Sequence, residues 1–279
     1  LGSLYIAQTT PTGMDFSKLL PDFSSNQGMT EIAENMGSGV ISPVQILVTT
    51  PTPIVEKVNH FNQTLLDVIE QVTTTAKTSN GVSSVTSASQ PFGVPFDYHH
   101  IADMSEPIRS QYLTSILDVI GKDNKTALIT VGLANPPFSA EATSSLIELQ
   151  SDINESFLIP GIEIHYGGVT QSIQESQSLL NMIFPQIVII LSAAIYILLL
   201  IQLKSAFTPI RLIYTILTSV AVSLALVYFV FYFTLNIPVV SFVPLFVAVT
   251  MLGVGIDYDI FLVTRIREEV LNGKSDNEA

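Results

Sequence analysis

The chain has 279 residues, 48% of them hydrophobic and 13% charged, with a formal net charge of −13, a balance too apolar for an ordinary soluble domain and too polar for a bilayer alone. Up to residue 178 there are six Lys or Arg against 18 Asp or Glu, and beyond it five against six, so the acidity belongs to the front part. Phosphate binding needs clustered Lys and Arg, which the acidic part lacks, so nucleic acid is excluded as a partner, and without cysteine there is neither a disulfide framework nor a thiolate metal site.

Residues 1–12 carry no basic flank or cleavage pattern and read as the stub of an earlier helix, not as a signal peptide. Val44, Ile46 and Val48 alternate as in a strand; from Ile54, the apolar residues Val58, Phe61, Leu65, Val68 and Val72 recur at spacings of three and four, as in an amphipathic helix. A strand is predicted over 82–87, then a Pro- and Gly-bearing loop through Gln90 to Pro95, then a helix in 105–120 with Ile108, Tyr112, Ile116 and Ile120 inward. A strand over 127–133, a helix turning Ala142, Leu146, Leu149 and Ile153 inward, and a strand over 162–166 complete a βαβ, insertion, βαβ order. Two such units suggest a split-βαβ, ferredoxin-like α+β domain over 13–178, with the insertion as an extra helix or a docking or lid element.

Adjacent His99 and His100, with Asp97 and Asp103 nearby, are read as a solvated loop, because neighbouring residues on a loop rarely both hold one ion. Asn62-Gln-Thr64, Asn124-Lys-Thr126 and Asn154-Glu-Ser156 match the glycosylation acceptor pattern, a weak signal that is common by chance.

Three apolar runs follow, 179–203, 209–233 and 238–264. At 1.5 Å per residue each reaches roughly 30 Å or more, enough to cross the hydrocarbon core. Lys204 and Arg211 sit in the first connection, Arg265, Arg267 and Lys274 follow the third run, and Leu235-Asn236-Ile237 between the second and third is uncharged. By the positive-inside rule the basic ends are cytoplasmic, residues 1–178 lie outside the cytoplasm, and 270–279 form a cytoplasmic tail. The prolines at 185, 209, 238 and 244 fall mainly near span starts, with Pro244 the expected site of a mild kink.

The third run ends Gly253-Val-Gly255-Ile-Asp257-Tyr258-Asp259-Ile-Phe261, then Leu-Val-Thr-Arg265-Ile-Arg267-Glu268-Glu269. Asp257 precedes Arg265 by eight residues, roughly 12 Å deeper along a helix. A central Asp costs about 2.5 to 3.5 kcal/mol on insertion scales and usually faces a bundle interior on a proton or ion pathway. Burial disfavours the charged carboxylate and so favours proton uptake. Gly253, four residues before, shares its face and permits a neighbouring backbone to come close. Asp259 points away from Asp257 and forms no dyad with it. The other two runs offer Ser192, Tyr196, Tyr214, Thr215, Thr218, Ser219 and Ser223 but no acid or base in the hydrocarbon. Asp257 is therefore neutral, wetted, hydrogen-bonded to a neighbour, or paired with a helix outside this chain. Arg265 and Arg267 read as interface anchors.

This segment closely resembles the helix signature of the mycobacterial-membrane-protein-large (MMPL) branch of the resistance-nodulation-division (RND) transporter superfamily. Asp15-Phe-Ser-Lys-Leu-Leu-Pro21 and Tyr166-Gly167-Gly168-Val-Thr170 are similar to family segments flanking its porter domain. The resemblance implies a fragment of one half of an exporter, with an extracytoplasmic porter domain and an all-α bundle of three helices, in the plasma membrane. It further implies that Asp257 is a proton-relay acid and Tyr258 its hydrogen-bond partner, with Asp259 secondary and Gly253 and Gly255 in helix packing. The implied partners are membrane lipids, a hydrophobic substrate, and a second half or subunit bringing a matching Asp-Tyr helix. No catalytic residue, cofactor or metal ligand is expected. An intramembrane aspartyl protease needs Gly-x-Gly directly before its Asp, and Ile256 intervenes. A non-transporting relative that assists protein translocation or senses a ligand is the alternative.

Overall fold

The computed structural model describes residues 23–57, 60–157, 159–203, 205–235, 237 and 239–271, without the side chains of 57, 102, 256–260, 262, 263, 266, 267 and 269–271. The stub over 1–12, the Asp15 to Pro21 segment, Lys204, Asn236, Pro238 and the tail from 272 lie outside the described residues. The chain forms two compact units, one ending at Glu175 and the other beginning at Ser176.

The first unit is α+β. Its described part opens with α1 (Ser24–Met36), an element missing from the predicted order although Met29, Ile32, Ala33 and Met36 recur at helical spacing, and a short 3-10 turn, Ser38–Val40. In β1 (Val44–Thr49) the alternating Val44, Ile46 and Val48 are fully buried while Gln45 and Leu47 face outward. The predicted helix from Ile54 begins later: β2 (Val55–Lys57) and β3 (His60–Phe61) pair as a small hairpin. Only then does α2 (Gln63–Thr78) start, where the Asn62 side chain accepts the Leu65 N–H at 3.3 Å. A side-chain acceptor at that position satisfies one of the open N–H groups of a first turn, and it overrides the apolar spacing upstream.

Next come β4 (Val82–Thr86), a 3-10 turn Tyr98–Asp103, α3 (Ile108–Asp118), β5 (Thr126–Leu133), α4 (Ala140–Ser156) and β6 (Glu163–Gly167). The four-stranded sheet is antiparallel throughout, ordered β4-β5-β1-β6, with Ile46 opposite both Ile129 and Tyr166. Helices α2 and α4 pack together over one sheet face. Leu66, Ile69, Val72 and Ala76 of α2 and Ala142, Leu146, Leu149 and Ile153 of α4 are fully buried there against the β1 and β5 aliphatics. The inserted helix joins this core through Leu113 and Ile116, but Ile108 is half exposed, contrary to its predicted inward position. Tyr112 packs against the core as predicted and stacks on Phe96 at 4.1 Å between ring centroids.

Gly168 ends β6 at φ +104°, and a Cβ there would meet the Pro43 carbonyl oxygen at 2.7 Å, so only glycine fits. Helix α5 (Val169–Leu203) then starts ten residues before the predicted span, with Pro185 inside it and not near its start. The second unit contains α5 from Ser176, α6 (Phe207–Tyr228), a π turn (Phe229–Thr234) and α7 (Val243–Leu271). Pro244 lies in the first turn of α7, where its missing N–H would be unpaired anyway. The helices meet in a small cluster of Ile195, Leu199, Ile216, Val220, Leu224, Ala248 and Leu252. Among the described residues, 169–203 and 207–234 are long and apolar enough to cross a membrane, and Val243–Gly255 forms a shorter apolar stretch.

Candidate functional site

The faces of α7 are set by which neighbours its residues touch. Ala248 and Leu252 are buried in the helical cluster, and a Cβ on Gly255 would lie 3.3 Å from Ile216 Cγ1 of α6. This row is the seam with α6, where an added Cβ at 255 already requires the Ile216 side chain to give by a few tenths of an ångström. Roughly opposite lie Phe246, Thr250 and Gly253, all exposed, and among the described residues nothing stands within 4 Å of where a Gly253 Cβ would be.

At 3.6 residues per turn, position 257 continues the open row of Gly253, and position 259 continues the row packed on α6. The side chains of Asp257, Tyr258, Asp259 and Arg267 lie outside the described residues; their backbone is helical. Arg265 Nη1 donates to Glu268 Oε2 at 3.1 Å, one turn on, with both side chains exposed.

The polar groups of the other two helices are largely spent locally. Thr215, Thr218 and Ser219 donate to the carbonyls of Arg211, Tyr214 and Thr215, four residues back, at 3.0, 2.8 and 3.0 Å. Such back-bonds satisfy a hydroxyl within its own helix. Ser192 and Ser241 bury hydroxyl oxygens with no partner among the described residues.

In the first unit, the histidine pair is built into the 3-10 turn and not left on a bare loop. The Asp97 side chain accepts the His99 N–H at 3.2 Å and contacts His100 Nδ1 at 2.8 Å. Asp67 of α2 accepts the Tyr98 hydroxyl at 2.7 Å and lies 3.3 Å from His99 Nε2. The hydrogen bond to Asp97 raises the His100 pKa and lowers that of Asp97. Desolvation first, then the Asp67 hydrogen bond, raises the phenol pKa of Tyr98. Burial alone pushes Tyr166 up to about 12, and its hydroxyl has no partner among the described residues.

Beside this turn, Gln90 Nε2 donates to Glu70 Oε1 at 2.9 Å, and Lys77 Nζ donates to Gln90 Oε1 and the Gly93 carbonyl at 3.3 and 3.0 Å. Thr73, Ser87 and Ser89 extend the network inward, fully buried. Sequence reasoning missed this staple because its members lie 13 to 20 residues apart on different elements, at no recurring spacing.

An α+β domain continuous in sequence with helices long and apolar enough to cross a membrane defines the class of integral membrane proteins. The chain belongs to the MMPL family, a branch of the RND superfamily: the family model matches residues 67–279, which is 213 of the 279 residues. It is 30% identical to YdgH of Bacillus subtilis over 53% of this chain, and 28% identical to the apo-petrobactin exporter of Bacillus anthracis over 52%. Over 93% of its length it is 23% identical to the mycolic acid-containing lipids exporter MmpL11 of Mycolicibacterium smegmatis. These alignments take up 17%, 21% and 24% of the relatives' own lengths, so the chain spans a quarter of them or less.

Proposed function

We propose that the chain is part of a proton-coupled exporter of lipids or other hydrophobic small molecules in the plasma membrane. The observation that carries this reading is the position of Asp257: an acid in the apolar helix α7, on the row of Gly253 that α5 and α6 leave open. A carboxyl group there binds a proton at low cost and becomes charged only when a partner or water meets it, so its protonation biases how helices pack. The missing Cβ at Gly253 leaves room for a helix from another part of the complete protein, carrying a matching Asp-Tyr pair, to approach. Tyr258 is the hydrogen-bond partner in the relay and Asp259 a secondary acid.

In this reading 179–203, 209–233 and 238–264 cross the membrane, with Arg265 and Arg267 anchoring the cytoplasmic end and residues 1–178 outside the cytoplasm. The sheet domain is a ferredoxin-like porter domain. Supporting that, β1, β4, β5 and β6, counted as first to fourth, stand in the order 2-3-1-4, with α2 and α4 as the crossover helices. Membership of a family with named exporters supports export as the activity.

The test is Asp257→Asn in the full-length protein, which removes the titrating proton and keeps the shape. Export of a hydrophobic substrate from cells should stop while membrane protein level is unchanged. Undiminished export rejects the relay role.

A further inference from the structure

On α7, Thr250 stands in the same row as Gly253 and position 257. Seven residues fall about 20° short of two full helical turns, so positions 250 and 257 share one face, roughly 10 Å apart along the axis. Thr250 is exposed, and at Gly253, between the two, an added Cβ would meet nothing within 4 Å among the described residues.

The hydroxyl of Thr250 differs from those of α6 in its bonding. Thr215, Thr218 and Ser219 spend theirs on carbonyls four residues back, and Thr234 donates to the Phe229 carbonyl at 3.1 Å. Thr250 makes no hydrogen bond among the described residues, although these include Phe246 and Val247, whose carbonyls such a back-bond would use. A hydroxyl without a partner in hydrocarbon carries a large desolvation cost. Its partner therefore has to come from the open side of the row.

We propose that Thr250 is a further residue of the proton path: its hydroxyl passes protons from the extracytoplasmic side to Asp257 through water held over Gly253. The proposal rests on the relay reading of Asp257 and adds the route by which that carboxyl is supplied. A hydroxyl is donor and acceptor at once. It takes a proton onto an oxygen lone pair from water on its outer side and releases its own hydrogen to water on its inner side. One O–H bond forms as another breaks, and the group ends as it began. About three waters, at about 2.8 Å per hydrogen bond, span the distance to the carboxyl. Gly253 has no side chain, so α7 places nothing between the two groups, and a helix laid over the row leaves that space to water. Phe246, the next residue outward on the row, is apolar and offers no such step.

The test is proton flux into proteoliposomes of the full-length protein in lipids extracted from its source membrane. A pH-sensitive dye is held inside, acid is imposed on the extracytoplasmic side, and folded protein is quantified before reconstitution. Thr250→Val, which keeps the shape, should cut flux per folded protein about tenfold, the rate equivalent of one lost hydrogen bond. Its dependence on outer pH should move about one unit to the acid side, because a tenfold higher proton supply makes up the loss. Thr250→Ala, which adds no bulk, should match it. Thr250→Ser, which keeps the hydroxyl, should restore both rate and pH profile. Thr218→Val, whose hydroxyl is already spent on the Tyr214 carbonyl, should leave flux unchanged. Wild-type flux in Thr250→Val and Thr250→Ala, an equal loss in Thr250→Ser or Thr218→Val, or a fall that is the same at every pH overturns the proposal. Asp257→Asn should show no flux in the same vesicles. If it conducts like the wild type, or if the wild type itself shows no protein-dependent flux, the relay reading fails and takes this route with it.

Discussion

The sheet domain and the helical unit handle their apolar side chains in opposite ways. In the sheet domain, Val44, Ile46, Val48, Ile129, Leu146 and Leu149 are all fully buried against one another. In the helical unit a small cluster is closed, while Ile189, Ile190, Ile197, Ile201 and Phe246 each keep more than half of their surface open. A row of exposed Ile and Phe is untenable in water but at home against lipid tails or further helices. The first unit thus has a complete core of its own, whereas the second is built to be finished by its surroundings.

Paired truncations sharpen that contrast most strongly. Ile129→Ala should destabilise the sheet domain by about 2–5 kcal/mol, since a fully buried isoleucine leaves a cavity. Ile197→Ala, at 57% exposure on α5, should cost no more than about 0.5 kcal/mol. Denaturant unfolding of the full-length protein, followed by hydrogen exchange in each region, separates the two; equal effects would break the comparison.

The two α7 glycines divide the helical unit in the same way. Gly255→Leu drives a side chain into Ile216 and should lower the amount of folded protein in the membrane. At Gly253 an added Cβ meets nothing within 4 Å among the described residues, so with Gly253→Leu protein level should hold while export falls because the approach of another helix is blocked. Full export with Gly253→Leu would show that no helix comes close on that side.

A smaller effect is expected at the α4 cap, where Ser139 Oγ accepts the Ala142 N–H at 3.1 Å. Ser139→Ala should cost about 1 kcal/mol in the sheet domain alone, read from its unfolding transition.

The smallest expected signal is the titration of His100. Its pKa is raised above 6.5 by Asp97, so its stabilising contribution is complete below 6.5 and disappears as pH climbs through the raised value. Asp97 is lowered below 3.8, so its contribution is present above 3.8 and disappears as pH drops through the lowered value. The pair therefore holds the 3-10 turn between those two limits. An NMR titration should place the His100 midpoint above 6.5 in the wild type and near the ordinary value in Asp97→Asn; no difference would remove the pairing.

Elements with a strong periodic signal were legible from residues alone. The alternation of Val44, Ile46 and Val48 and the Ala142, Leu146, Leu149, Ile153 spacing gave β1 and α4, because burial of one face is what the spacing encodes. Helix α1 was not predicted, although Met29, Ile32, Ala33 and Met36 recur at spacings of three and four; that row buries nothing, and no side chain caps its N-terminus. The β2–β3 hairpin was hidden because Ile54 and Phe61 fit helical spacing by coincidence, and the Asn62 cap outweighs it. At the candidate site, residue types and spacing picked out Asp257 and Gly253. Which side of α7 faces α6 required the packing of Ala248, Leu252 and Gly255.

Proton movement itself is the most direct test. Full-length protein in proteoliposomes, with a pH-sensitive dye inside and an imposed proton gradient, should show substrate-dependent proton flux in the wild type and in Asp259→Asn at a reduced rate. Asp257→Asn should show none. Equal flux in Asp257→Asn and the wild type would contradict the assignment of the relay to this carboxyl group.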